Sequence, residues 1–118
     1  PMHTIIPAIA ESKKGVLAFG VMGGHYQAAG QAWFLHKWLD EGLDLQSALD
    51  SPRLFSYPDK LYAEKGVDAK TCAQLRKHGH IVAQAAQPIG AGQAVLRMAN
   101  GVVIAASDSR KDGIAAGY

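Results

Sequence analysis

The residues best placed to do chemistry are two adjacent glycines. Gly20-Val21-Met22-Gly23-Gly24 lies between a strand-like run, Val16 to Phe19, and a helix-like run that opens at His25. Glycine lets backbone approach a ligand closely. Two successive N–H groups at a helix start can converge on one anion, helped by the positive end of the helix dipole. That is the arrangement an acyl-transfer oxyanion requires. On spacing alone, Gly23-Gly24 also reads simply as a tight turn. The loop lacks the spacing of a dinucleotide fingerprint and the Lys-Ser/Thr of a P-loop, so a nucleotide is not indicated.

Other chemistries find less support. Of the five histidines, only His78-x-His80 is closely spaced, and it straddles a helix end at Gly79 with no third ligand at a useful distance. Asp108 with Asp112 lies in a polar tail, so no metal is expected. No G-x-S-x-G elbow is present. Cys72 is the only cysteine, which excludes an internal disulfide and a cysteine-built zinc site. Pro1, as a true mature terminus, would offer a secondary amine as general base in a small tautomerase-like enzyme. Pro7 interrupts the short strand that such an enzyme needs there.

The elements that must position these residues alternate in type. Thr4 to Ala10 and Val16 to Phe19 read as a β-hairpin around the Ser12-Lys13-Lys14-Gly15 turn. A helix is predicted from His25 to Leu39, with Ala29, Ala32, Trp33, Leu35, Trp38 and Leu39 at helical spacing. Phe34 widens its apolar surface, so it should be buried between layers. Gly42 ends it, and Asp44 caps a short second helix that stops before Pro52. Arg53 to Asp59 reads as irregular and Leu61 to Glu64 as a short strand. Asp68 caps a helix through Lys77, and Ile81 to Ala85 is strand-like. Gln93 to Met98 and Val102 to Ala106 flank Asn100-Gly101, the strongest hairpin signal in the chain. The result is one domain piece of mixed α and β with antiparallel hairpins.

With 118 residues, 48% hydrophobic and 19% charged, the chain can bury a modest core. Its net charge of +2 comes from dispersed Lys and Arg with acids close by, so no nucleic-acid stripe is present. No apolar run approaches a bilayer span. The opening at Pro1, within an extended segment, is what a piece of a larger fold would show.

Several segments share an order and spacing. Pro1-Met2-His3-Thr4-Ile5-Ile6-Pro7 fits P-x-[SH]-[ST]-x-x-P, and Phe19 to Gly24 forms a glycine-pair loop. Gly42 to Arg53, Glu64-Lys65-Gly66, Gly90-Ala91-Gly92-Gln93, Ala106 to Arg110, Asp112-Gly113 and Ala116-Gly117-Tyr118 follow. Together they resemble the γ-glutamyltransferase family, also called γ-glutamyltranspeptidases, along essentially the whole chain. The resemblance implies an α+β fold, part of an αββα sandwich of the N-terminal-nucleophile type with mostly antiparallel strands. Residues 1–118 would be the C-terminal part of the small subunit of a self-cleaving precursor. The nucleophilic Thr would lie outside this chain and attack a γ-glutamyl carbonyl of glutathione or a related amide, with water or an acceptor resolving the acyl-enzyme.

By the same resemblance, Gly23 and Gly24 would donate N–H groups to the oxyanion, and His3 and Thr4 would hold the substrate's α-carboxylate. No cofactor is implied. The partners would be the remaining segments of the precursor and a small γ-glutamyl substrate. His3 stands where many members carry a hydroxyl, which puts the substrate in question more than the chemistry; amidases acting on other acyl groups share the fold. Ser109 replaces a usual Pro, and Asp108 with Arg110 reads as a backbone-pinning pair. Export is common in the family, but a leader would lie outside this chain. The piece alone should be inactive; the alternative to an enzyme part is a non-catalytic assembly piece whose apolar strands bind the remaining subunit.

Overall fold

A computed structural model describes residues 4–117, and their contacts gather into two compact units. The first comprises the described residues up to Ser51 and those from Gly90 onward; the second is Pro52–Ile89.

The first unit is built on a four-stranded antiparallel sheet in the order β1-β2-β6-β7, with β1 Ala8–Ser12, β2 Gly15–Met22, β6 Ala91–Met98 and β7 Val103–Ser107. Alternation decides its two faces. Leu17, Phe19, Val21, Ala94, Leu96 and Ala106 are buried beneath helices α1, Tyr26–Leu35, and α2, Leu45–Asp50. Phe19 and Phe34 meet with ring centroids 5.4 Å apart. The opposite face is open: Ile9, Ala18, Val95 and Ala105 stand in register across all four strands and are all exposed. The Asn100-Gly101 turn forms as expected, with Met98 and Val102 bonded across it.

The helix expected from His25 to Leu39 is α1 followed by a wider π-type turn, His36–Asp40, in which Glu41 N–H reaches His36 C=O. Trp38, four residues after the buried Phe34, is buried on the same side. Lys14 Nζ donates to Trp38 C=O at 3.1 Å and lies over its ring, serving a carbonyl of this turn. The helix is not covered all round by the described residues. Its buried line is Tyr26, Gln27, Gly30 and Phe34, while Ala29, Ala32 and Leu39 are exposed.

A buried carboxylate locks the end of β7 to its neighbours. Asp108 is fully buried, its Oδ2 accepting from Gly92 N–H at 2.8 Å and its Oδ1 from Arg110 N–H and Nη1. Arg110 also donates to the carbonyls of Leu49 and Ser51, closing the C-terminal end of α2. The pair therefore pins backbone, as its spacing suggests.

In the second unit, β3 Leu54–Ser56 pairs antiparallel with β4 Leu61–Ala63, which pairs parallel with β5 Val82–Gln84 across helix α3, Ala69–Lys77. The stretch expected to be irregular thus contains a short strand. Glu64 fastens the unit's base: its carboxylate accepts from the N–H groups of Arg53 and Ile89, and Arg53 Nη1 donates to Ile89 C=O.

Two outcomes follow for the full-length protein. Asp108→Ala should lower unfolding free energy by about 3–5 kcal/mol in denaturant titration, because it breaks a buried ion pair and leaves the buried Gly92 N–H without its acceptor. The second concerns Asp44, whose carboxylate accepts from Ser47 Oγ and N–H at the α2 N-terminus, holding its pKa below the ordinary aspartate value. A depressed carboxylate pKa stabilises above the unfolded value of about 3.9 and loses that contribution as pH falls through the folded one. Asp44→Asn keeps a cap that does not titrate, so stability should fall less steeply with acid than in wild type, read from unfolding midpoints across pH.

Candidate functional site

The glycine pair leaves β2 in a conformation that side chains resist. Gly23 has φ 133° and Gly24 φ 59°, both in the left-handed half of backbone space. Their carbonyls accept from Tyr26 N–H at 3.1 Å and Gln27 N–H at 3.2 Å, which starts α1. Their own N–H groups meet no acceptor among the described residues. The loop thus presents two unsatisfied donors at the N-terminus of a helix, where partial positive charge accumulates.

What holds the loop is the Tyr26 ring and the space left for it. A Cβ on Gly30 would lie 2.5 Å from that ring, and one on Gly90 would lie 2.4 Å from Met22 C=O and 2.7 Å from the ring. A Cβ on Gly23 would come within 3.0 Å of the Gly90 Cα, whereas one on Gly24 would meet nothing within 4 Å. Gly24 therefore faces open space, and the steric demand falls on Gly23.

Thr4 is exposed and lines an open, mostly apolar groove of about 760 Å³ along the uncovered sheet face, together with Ile5, Ile9, Met22, Gln27 and Lys111. The expected partner of Thr4, His3, lies outside the described residues. Thr4 and the glycine pair are joined through one residue: Gln27 Nε2 donates to Thr4 C=O at 3.2 Å, while the Gln27 backbone N–H donates to Gly24 C=O. Gln31 Nε2 donates to Ile6 C=O. Neither glutamine was indicated by the sequence, in which both read as polar positions on a helix. Elsewhere, His78 and His80 are exposed, and no group of three or more His, Cys, Asp or Glu residues converges among the described residues.

Comparison with known proteins places these features in context. A family profile described as Gamma-glutamyltranspeptidase matches residues 1–118. An oxamate amidohydrolase proenzyme from Klebsiella pneumoniae is 33% identical over the whole of this chain, which spans 24% of that protein. Among solved structures, a gamma-glutamyltranspeptidase from Pseudomonas nitroreducens superposes with a TM-score of 0.84 at 21% identity, over 99% of this chain and 63% of that one. A cephalosporin acylase from Bacillus halodurans superposes with a TM-score of 0.79 at 30% identity, over 86% of this chain and 20% of that one. The N-terminal-nucleophile hydrolase fold of these structures agrees with the mixed α and β, mostly antiparallel arrangement described above.

The two glycines should respond differently to alanine. Gly24→Ala should cost about 1–2 kcal/mol, the usual penalty of a left-handed non-glycine residue. Gly23→Ala adds a backbone clash to that strain and should cost about twice as much. Unfolding midpoints of the two variants in the full-length protein check the order.

Proposed function

Starting from the fact that this chain belongs to the gamma-glutamyltranspeptidase family, we propose that it is the C-terminal part of the small, catalytic subunit of an amide-cleaving acyl-transfer enzyme. The nucleophile of that enzyme is an N-terminal Thr outside this chain. The observation that bears most weight is the pair of unsatisfied N–H groups on Gly23 and Gly24 at the start of α1. When the nucleophile attacks the scissile carbonyl, its oxygen gains negative charge, and two pre-aimed donors stabilise that charge without reorganising. The leaving amine takes a proton, and water or an acceptor amine then releases the acyl group.

In this reading Thr4 offers its hydroxyl, and His3 a ring N–H, to the carboxylate of the acyl donor. The donor is a γ-glutamyl amide of the glutathione type. A shorter carboxylate-bearing amide, as the name of the Klebsiella relative gives for that protein, is the alternative donor, kept open because His3 stands where many family members carry a hydroxyl. Acyl donors of both kinds carry a carboxylate and an amide carbonyl. In oxamate the two are directly bonded and in a γ-glutamyl donor a carbon chain separates them, so the two donors call for different spacings between the two groups of residues. The family match takes the place of the tautomerase reading of Pro1.

A second reading is that the chain serves assembly alone, its sheet docking on the remaining segments of its precursor. The exposed row Ile9, Ala18, Val95 and Ala105 favours it, since contiguous apolar surface marks contact sites. The two readings part on activity. In the full-length protein, Gly24→Ala should fold and yet lose about 100- to 1000-fold in turnover of a γ-glutamyl anilide, because a methyl group beside the donor N–H would obstruct the approach of the oxyanion. Thr4→Val should raise KM about tenfold or more by removing a hydrogen bond to a charged group. Unchanged turnover in Gly24→Ala would sink the oxyanion reading, and a wild-type protein inert toward γ-glutamyl and short carboxylate amides alike would move the substrate away from both classes.

A further inference from the structure

Resting on the acyl-transfer reading above, we infer that Gln27 is a positioning residue that sets the carboxylate-binding segment relative to the oxyanion loop, with Gln31 as its second rung. Gln27 is bonded to both halves of the proposed site. Its backbone N–H donates to Gly24 C=O at 3.2 Å, and its side-chain Nε2 donates to Thr4 C=O at 3.2 Å. One residue thus fixes the spacing between the oxyanion donors and the Thr4 hydroxyl, which must match the distance between a donor's reacting carbonyl and its carboxylate. Gln31 stands one helical turn further on and donates to Ile6 C=O.

The repeat lengths explain why two glutamines suit this task. Positions four apart on a helix rise about 6 Å. Carbonyls two residues apart in extended chain point the same way and lie about 6.6 Å apart. A Gln-x-x-x-Gln edge therefore meets alternate carbonyls of an extended segment almost in step. Thr4 to Pro7 precedes β1 and belongs to no strand, so these bonds stand in for a missing sheet neighbour. Gln27 is only 8% exposed, unusual for a glutamine, and its burial costs free energy unless its amide is bonded. Both glutamines lie on the side of α1 that faces this segment, while Ala28, Ala29 and Ala32 are exposed.

The test is a double-mutant cycle in the full-length protein with a γ-glutamyl anilide as substrate. Gln27→Met keeps the length and apolar stem and removes the donor. It should raise KM about tenfold while kcat stays within about threefold, since the backbone bond to Gly24 persists. Because Gln27 acts through Thr4, the double variant Thr4→Val/Gln27→Met should show a KM no more than about twofold above Thr4→Val alone. Additive effects on KM, or an unchanged KM in Gln27→Met with Thr4→Val impaired, would overturn the positioning role and leave the functional reading intact. An unchanged KM in Thr4→Val would remove the proposed role of Thr4 and this inference with it, and no wild-type turnover would remove the γ-glutamyl reading as well.

Discussion

The first unit depends on a carboxylate that has no water to fall back on. Asp108 is completely buried, and an ion in that position persists only if every lone pair is answered. The answers come from separate parts of the chain: Gly92 at the start of β6, Arg110 two residues on, and through Arg110 the last carbonyls of α2. Fixing Gly92 fixes what precedes it. Gly90 packs against Met22 C=O and the Tyr26 ring so closely that no Cβ fits, and the same ring lies against Gly23. A continuous line of contacts therefore runs from one buried charge to the loop whose donors are proposed to act on substrate. That line is made of close-packed backbone around the Tyr26 ring, with no room left for a Cβ at Gly90, and it suits a site in which small errors of placement are costly.

Much of this was visible in the residues because the signals were local. Asn100-Gly101 can hardly form anything but a tight turn. Asp44 and Asp68 each accept from the N–H three residues on, as an N-cap should. The Asp108-x-Arg110 spacing pointed to a backbone clamp because two opposite charges two residues apart in a turn can reach the same peptide groups. Gly23-Gly24 could be placed at a strand-to-helix junction, though nothing in the sequence distinguishes a turn from a donor pair; only the φ values and the missing acceptors do.

The rest was hidden because it depends on neighbours outside the segment itself or on departures from an ideal period. Strand β3 is three residues long and exists by pairing with β4, so its own residues give no period to detect. The apolar spacing of the long helix is read at 3.6 residues per turn throughout, and it places Trp38 on the buried side without marking the π-type turn that follows Leu35. Ala29, Ala32 and Leu39 fitted the ideal period and are exposed all the same. Gln27 and Gln31 are the clearest case: glutamine is an ordinary helix-surface residue, and its role emerges only once an extended segment is seen to lie against that side.

The same helix bears on why the two halves of the proposed site need a common anchor. A transition state is recognised over its whole length, so donors at the reacting carbonyl gain little unless the distal carboxylate is held at the matching distance. The loop after β2 is rigid by packing, but Thr4 belongs to no strand and would drift if it were bonded only to solvent. Tying it to α1 makes the helix a ruler: its N-terminal turn receives the Gly23 and Gly24 carbonyls, and the side of the same turn receives Thr4. Substrate length would then be encoded in helix geometry, which varies by tenths of an ångström. A side chain one carbon shorter at position 27 could not span that gap, so the acyl donor's length and the identity of residue 27 should be linked physically.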